Sequence, residues 1–584
     1  VLMAVVLSFT AFSGSFRITA YAYASALGNV ISATTQDNKV ILTIDNGSEP
    51  SDDKLTLEVC KSDVLRVDYQ PNSEESSANT PMIDPNLSWN ATTATINTAN
   101  DPITIKTDAM DIEIAKSPCR MTVKKADGTT LFWEPSSGGV YNGGIRFVRA
   151  AATNMYGIHG YDCFSDNGQL LRNDTSGEAT AGQQGDSGGP FMWSTAGYGL
   201  LVDSDGGYPY INSTDKKMEF YYGETPTEGR RYNKTDVEYY VMLGVPKEIM
   251  KDYSKITGTS PMMPKWSLGF SNFEWGINET ELNNMVDTYR AKNIPLDAYG
   301  LDYDWKKYGS DNYGEFAWNT ANFPSASTTA LKNAMSSKGV KLIGITKPRI
   351  VTKLSNGTET AQGTAAKNGG YFYPGQNEYT DYFYPVTVQS IDPYNQNERA
   401  WYWQHSEDAF NKGIVGWWND ETDKVSTNTA SYWFGNFTTL HLSQGMYEGQ
   451  RSFTNGQMRI WQTARNYYPG TQRYSTSLWS GDVATQFYKG ERVNWAAGLN
   501  EQKADLLSTI DNGQPKWGCD GGGFNQNSGK IENPSPEHYA RWLIPCTRNK
   551  QSATPAVVFR QDSGSSNKSR YPASLLIIAI SLFL

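Results

Sequence analysis

The chain has 584 residues, too many for one ordinary domain, so two or more are expected. Hydrophobic residues make up 38% and charged residues 19%, a balance that excludes intrinsic disorder. A net charge of −10 disfavours nucleic acid and anionic membranes as partners, whereas a neutral substrate is indifferent to it. With 17 Trp and 35 Tyr, either a large aromatic core or surfaces that stack on flat sugar faces are expected.

In chain order, residues 1–24 read as an export signal. VLMAVVLSFTAF is apolar, and Ala22-Tyr23-Ala24 offers the small residues of a cleavage site. No initiator Met or basic segment precedes it, so a clipped start is expected, and secretion is the predicted localisation. Residues 27–260 carry short alternating runs such as VILTI (40–44), ITIKT (103–107), DIEIA (111–115) and GLLVD (199–203) between Gly, Asn, Asp and Pro clusters. That pattern predicts an N-terminal antiparallel β-sandwich.

From residue 261 the pattern changes. Apolar runs at WSLGF (266–270), LDAYGLD (296–302), KLIGIT (341–346), GIVGWW (413–418), RIWQTA (459–464), YSTSLW (474–479) and KWGCD (516–520) alternate with helical stretches such as 279–293 and 328–339. Strands and helices in alternation, with a polar residue at each strand end, predict a (β/α)8 TIM barrel over 261–543. The eighth strand is expected after the helix EHYARWL (537–543), and AVVFR (556–560) is its candidate. The surroundings of that candidate look unlike a domain, so 544–584 reads as an aberrant tail and the barrel as truncated near strand 8, through a truncated or frame-shifted reading. The apolar run 575–584 is well short of the ~20 residues that cross a bilayer.

The chemistry is expected at the barrel strand ends. GWWNDE (416–421) and WSGD (479–482) each end an apolar strand in an aspartate flanked by tryptophan. Retaining glycoside chemistry needs one ionised carboxylate and one protonated carboxyl about 5–5.5 Å apart. Asp420 and Asp482 are the candidate pair, 62 residues apart, which fits two strand ends with one strand between them. The bland alternative makes each an aspartate capping a following helix. Glu421 and Asp423 rival Asp420; strand alternation points Glu421 elsewhere if the strand continues that far. Asp302 ends a strand, and its carboxylate can accept two charge-assisted hydrogen bonds. Arg465 carries a permanent cation, which suits a structural ion pair or holding Asp420 ionised. An apolar wall such as Trp479 would favour a protonated Asp482. Trp305, Trp417, Trp418 and Trp517 are candidate stacking platforms, with core packing the alternative. Lys347 contacts substrate or pairs with a neighbouring acid.

GLDYDW (300–305), GWWNDE (416–421), ARNYYPGTQRYSTSLWSGD (464–482) and WGCDGGGF (517–524) together resemble glycoside hydrolase family 31, the retaining α-glucosidases and α-glucosyltransferases. The resemblance covers roughly 30–543. It implies Asp420 as nucleophile, Asp482 as acid/base, Asp302 and Arg465 as hydroxyl ligands, and Asp520 as a pocket wall. NGSEPSDDKL (46–55), RMTVKKADGTTLFWEPS (120–136), GDSGGPFMWSTAGYGLLVDSDGGYPY (185–210) and DYDWKKYGSDNYGEFAWNTANFPS (302–325) look more narrowly like the bacterial 6-α-glucosyltransferases of that family. The implied substrate is a malto-oligosaccharide or related α-glucan. Ordinary α-glucosidase activity and an inactive carbohydrate-binding relic stay open as alternatives. Family members carry Phe-Arg-Val-His-Gly on the eighth strand, whereas Phe559-Arg560 is followed here by Gln561 and Asp562.

GDSGGP (185–190) matches the string around a trypsin-like serine nucleophile. Of four histidines only His159 precedes Ser187, and not in the setting those proteases use, so a Gly-rich hairpin turn is expected instead. No metal or cofactor is expected: the histidines and the five cysteines show no ligand spacing, and the odd cysteine count leaves at least one thiol unpaired.

Overall fold

The computed structural model describes residues 26–47, 52–90, 92–159, 175–176, 179–182, 185, 187–222, 231–307, 314–381, 383–422, 424–426, 431–433, 435–475, 477–481, 499–521, 537, 541–542, 556–562 and 575–580, of which 159, 175–176, 424–426, 431–433, 500–501, 556–562 and 575–580 are described as backbone only.

Residues 30–243 build two antiparallel sheets around one core. Asp53–Lys61 shows how the sequence does this: its residues mostly alternate between buried and half-buried, so one face of the strand turns inward. One sheet has eight strands, running from Val30–Gln36 through Val64–Gln70 and Val237–Leu243 to Met155–His159. The other is centred on Gly144–Arg149, Cys119–Lys125 and Met110–Lys116. Leu57, Val67 and Val241 from the first meet Ile112, Phe132 and Phe147 from the second. GDSGGP departs from the expected hairpin turn. Gly188–Pro190 open the fully buried strand Gly188–Ser194, and the segment is pinned from outside the sandwich.

Helix Pro246–Thr257 leads into the second domain. Its Ile249, Tyr253 and Ile256 are buried at near-helical spacing. A curled parallel sheet follows, of strands β1 (Phe270–Trp275), β2 (Ala298–Leu301), β3 (Lys341–Thr346), β4 (Ile414–Asn419), β5 (Trp461–Ala464), β6 (Ser477–Trp479), β7 (Lys516–Gly521) and β8 (Ala556–Asp562), hydrogen-bonded in that order apart from one insertion. β8, the AVVFR segment, lies parallel to β1 and closes the ring. An antiparallel strand, Leu575–Ile580, sits between β7 and β8, a departure from a plain (β/α)8 ring. Strands β1 to β7 are largely buried on both faces, which is why they read as unbroken apolar runs. The first prediction was displaced. Lys265–Leu268 within WSLGF is a 3₁₀ turn, and β1 starts only at Phe270. Helix Glu279–Ala291 is fixed at its start by reciprocal bonds: the Asn278 side chain accepts from Glu281 N at 3.0 Å, and Glu281 accepts from Asn278 N at 3.1 Å. Most of the predicted helix 537–543 lies outside the described residues.

The two domains share a polar, closely fitted boundary. Trp193 Nε1 donates to Asp511 O (2.9 Å), and Tyr468 Oη donates to Ser204 O (2.8 Å) while accepting from Gly206 N (2.7 Å). Gly188 N donates to Tyr467 O (3.2 Å), just beyond β5, and Gly185 N donates to Arg465 O. Gly185 has φ +89°, and a Cβ there would overlap the Ser480 backbone, so only glycine fits this approach. Ser187 is fully buried, with its Oγ 3.2 Å from Thr509 Oγ1. A serine this deeply buried is out of reach of a peptide bond and cannot act as a protease nucleophile.

Candidate active site

Strands β2 to β5 are each followed at the C-terminal end by a charged residue. Asp302 follows β2, Lys347 follows β3, Asp420 follows β4 and Arg465 follows β5, while Trp479 ends β6 and Asp520 lies in β7. Beneath them the barrel interior holds a fully paired polar layer. Thr346 Oγ1 donates to Asn419 Oδ1 (2.8 Å), Asn419 Nδ2 donates to Gln462 Oε1 (2.9 Å), and Gln462 Nε2 donates to Ser443 O and Tyr474 O (both 2.8 Å). With its bonds satisfied, such a layer fixes the rim above it.

Asp420 is buried and lies between two cations. Lys347 Nζ bonds its Oδ2, and Arg465 Nη1 stands 3.2 Å from Oδ1. No helix starts at Asp420, so the capping alternative fails for it; Oδ1 also accepts a local bond from Glu421 N (2.8 Å). Burial pushes the Asp420 carboxyl up, but the charges of Lys347 and Arg465 outweigh burial and hold it below the usual carboxylate value. It is therefore ionised at neutral pH, the state an attacking carboxylate needs.

The alternation argument does not apply to Glu421, because the strand does not continue that far. β4 stops at Asn419, and Glu421 adopts φ +54°, which swings its side chain back toward the same cation. Its carboxylate meets Lys347 Nζ at 3.0 Å and is bonded by Arg349. Burial again acts to raise its pKa, and Arg349, Lys347 and Arg465 overcome it, holding Glu421 far below the usual range. A left-handed non-glycine backbone is held by this ion cluster at some energetic cost. The Lys347 alternatives thus resolve toward pairing with acids. Its ammonium also lies 4.8 Å from the Tyr303 ring and 5.1 Å from the Phe383 ring.

Asp302 is buried and accepts a bond from Tyr303 N (2.8 Å), opening a short turn that carries Tyr303 to Lys347. Trp418 and Trp479 meet edge to face at 5.1 Å, and Trp479 Nε1 donates to Asp520 Oδ1 (2.9 Å). These residues form one continuous wall across β4, β6 and β7. Trp305 lies apart from it: its indole donates to Ile345 O (3.2 Å), and its ring packs on Trp318 in the hydrophobic core. Trp417 is fully buried and donates to Gln450. Asp482 and Asp423 lie outside the described residues. The strand before Asp482, β6, is separated from β4 by β5 alone, the spacing expected of the pair. The sequence reading did not single out Arg349 or Asp381, which extend the ion cluster: Arg349 Nε donates to Asp381 Oδ1 at 2.8 Å. No local motif marks them.

A parallel barrel whose strand ends converge on a cation-clamped aspartate and a tryptophan wall is the arrangement of a carbohydrate-active enzyme. Residues 260–552 match the TIM-barrel domain of glycosyl hydrolases family 31, and residues 54–205 match that family's N-terminal galactose mutarotase-like domain; the chain belongs to glycosyl hydrolase family 31. It is 64% identical over 540 residues to a 1,6-α-glucosyltransferase of Sporosarcina globispora, covering 92% of this chain and 42% of that protein. An α-xylosidase of Saccharolobus solfataricus is 24% identical, covering 84% of this chain and 64% of its own length. The chain thus spans between two fifths and two thirds of these curated relatives. Among solved structures, a Flavobacterium johnsoniae dextranase in complex with isomaltotriose superposes with a TM-score of 0.73 at 21% identity, covering 89% of this chain and 64% of its own. A cycloalternan-forming enzyme of Listeria monocytogenes in complex with a pentasaccharide substrate gives 0.71 at 18% identity, covering 93% and 52%.

Proposed function

We propose that the chain carries out retaining α-glucosyl transfer on α-gluco-oligosaccharides, with a glucose 6-hydroxyl as the preferred acceptor. The observation that carries this reading is Asp420, buried at the end of β4 and held ionised between Lys347 and Arg465. In the proposed reaction Asp420 attacks the anomeric carbon of a terminal α-glucosyl unit while the carboxylic acid of Asp482 protonates the departing oxygen. A β-linked glycosyl-enzyme results. Asp482 then takes a proton from the incoming acceptor hydroxyl, whose attack restores the α configuration and frees Asp420. Asp302 and Arg465 hold the hydroxyls of the transferred sugar. The Trp418–Trp479–Asp520 wall bounds its pocket.

Identity of 64% to a 1,6-α-glucosyltransferase favours transfer over plain hydrolysis, which uses the same catalytic groups. The substrate in this reading is a malto-oligosaccharide or related α-glucan, and no cofactor enters. The apolar opening segment supports export, with 1–24 as a signal peptide and the mature chain secreted. The strand order supports a (β/α)8-type catalytic barrel that becomes irregular after residue 543.

A 5-fluoro-α-glucosyl fluoride traps glycosyl-enzymes of this type. Peptide mapping after its use is expected to find the label on Asp420, and incubation with maltotetraose is expected to give longer products. A label on Glu421, or an Asp420→Asn variant as active as the parent, refutes the assignment.

A further inference from the structure

Charged side chains at the barrel mouth form one row of alternating sign. Arg465 stands beside Asp420, Lys347 bonds Asp420 and meets Glu421, and Arg349 bonds Glu421 and reaches Asp381. Cations and carboxylates in this row are equal in number. Within it Lys347 touches both the proposed nucleophile and the next acid along the chain, the second at 3.0 Å. The lysine is held from several sides. Tyr402 Oη donates to its backbone carbonyl at 3.2 Å, and the Tyr303 and Phe383 rings flank its ammonium.

Glu421 joins the row because the backbone bends for it. β4 ends at Asn419, and a φ of +54° at Glu421, a region that disfavours any residue with a side chain, carries its carboxylate to Lys347. Arg349 holds it from the far side. Arg349 is in turn anchored on Asp381 at 2.8 Å, whose Oδ2 accepts from Phe383 N (2.8 Å) and Tyr384 N (3.2 Å). Strain secured by this many bonds marks a residue whose placement matters to the site. Its effect on the nucleophile has a definite sign. Burial raises the Asp420 pKa, the charges of Lys347 and Arg465 lower it, and the charge of Glu421 works against those cations.

We propose that Glu421 is a positioning residue that divides the Lys347 ammonium with Asp420 and so sets the balance between the two halves of the reaction. This rests on the reading of Asp420 as nucleophile given above. In the first half an Asp420 oxygen bonds to the anomeric carbon as the bond to the leaving group breaks, and the carboxylate gives up its charge. A cation committed wholly to Asp420 resists that loss. In the second half the acceptor oxygen bonds to the same carbon, its proton passes to Asp482, and the electron pair of the breaking ester bond returns to Asp420. Here a cation helps. While Asp420 is esterified its charge is gone, and Glu421 is the carboxylate that keeps the ammonium in place for the second half. A shared ammonium leaves the free carboxylate reactive without making it a poor leaving group.

The test uses the full chain and 5-fluoro-α-glucosyl fluoride, which slows both half-reactions enough to time them. The rate of inactivation reads attack by Asp420, and the rate at which maltotriose reactivates the isolated glycosyl-enzyme reads its departure. Two carboxylates on one ammonium lie ~6 Å apart; at an effective dielectric constant of about 20, losing one charge shifts the other by about 2 pH units, or about 1 after solvent screening at the half-buried Glu421. With roughly half of that felt in each transition state, Glu421→Gln is expected to slow inactivation about threefold and speed reactivation about threefold, an about tenfold rise in the ratio of reactivation to inactivation. Arg349→Gln frees Glu421 to draw Lys347 away from Asp420 and is expected to lower the same ratio. A purely structural loss slows both steps together. A Glu421→Gln ratio within about twofold of the parent, or below it, overturns the proposal. If that variant does not fold, an Arg349→Gln ratio that fails to drop does the same. Peptide mapping of the labelled parent separates the two readings: no label on Asp420 removes the nucleophile assignment and this inference with it, whereas a label on Asp420 with unaltered ratios sinks this inference alone.

Discussion

Replacing Lys347 with methionine tests the electrostatics of the site directly. The ammonium serves two carboxylates, the buried Asp420 and the half-buried Glu421, the latter at 3.0 Å. At ~3 Å and an effective dielectric constant of about 20, each ion pair is worth ~5 kcal/mol at most. Lys347→Met removes that attraction while Arg465 stays beside Asp420 and Arg349 beside Glu421; with about half of it offset by solvent entering and the remaining cations adjusting, the loss is roughly 2 pH units on Asp420. The sign follows from the native state. Asp420 sits below the ordinary carboxylate value, so attack is possible above that depressed pKa and is lost as pH falls through it. In Lys347→Met the acidic limb of kcat/KM should move upward by about 2 units, with the alkaline limb in place. The same depressed pKa contributes stability that is present above the unfolded value and lost as pH falls through the folded one. The variant should therefore also unfold at a higher pH on acidification. A pH series of kcat/KM with α-glucosyl fluoride, alongside circular dichroism at each pH, measures both. An acidic limb that does not move in a folded variant refutes the claim that Lys347 holds the nucleophile ionised.

Gly185→Ala should destabilise the chain by at least about 2 kcal/mol and lower kcat, because its φ of +89° and its contact with the Ser480 backbone admit no side chain; a thermal melt and initial rates check this. Ser187→Ala should cost only about 1 kcal/mol, the worth of one buried hydroxyl pair, and should leave glucosyl chemistry intact; any peptidase activity that disappears in this variant contradicts the structural role. His441 is buried against Tyr232 and Gln444, and burial followed by the charge of Arg399 lowers its pKa from 6.5 to about 3. Its neutral ring contributes stability that is present above pH 6.5 and lost as pH falls toward about 3. Urea titrations across that window should show a flatter pH dependence in His441→Gln.

How legible these features were depended on their range. Strand β3 was readable residue for residue, since a parallel strand covered on both faces is a plain apolar run bounded by polar residues. WSLGF misled for the same reason. Trp266 is apolar because it packs on Trp461 at 6.1 Å, and no strand is needed for that. Asp420 stood out through its tryptophan neighbours, but its clamp did not, because Lys347 lies 73 residues away and meets it only once β3 and β4 pair. For Glu421 alternation could decide only if the strand ran on, and the strand stops at Asn419 with a left-handed backbone just beyond it. The antiparallel strand Leu575–Ile580 was hidden for another reason: an isolated apolar run carries no mark of the partner it will join.

The glycine arm at Gly185–Gly189 gives the molecule an order of assembly. A domain completed early in synthesis supplies the splint against which residues 465–469 and 480, made much later, come to rest. Neither half finishes that rim alone. Cutting the chain between the sandwich and the barrel would free a barrel whose fifth and sixth strand ends lack their outer support, and refolding of the site would then depend on the concentration of the severed partner.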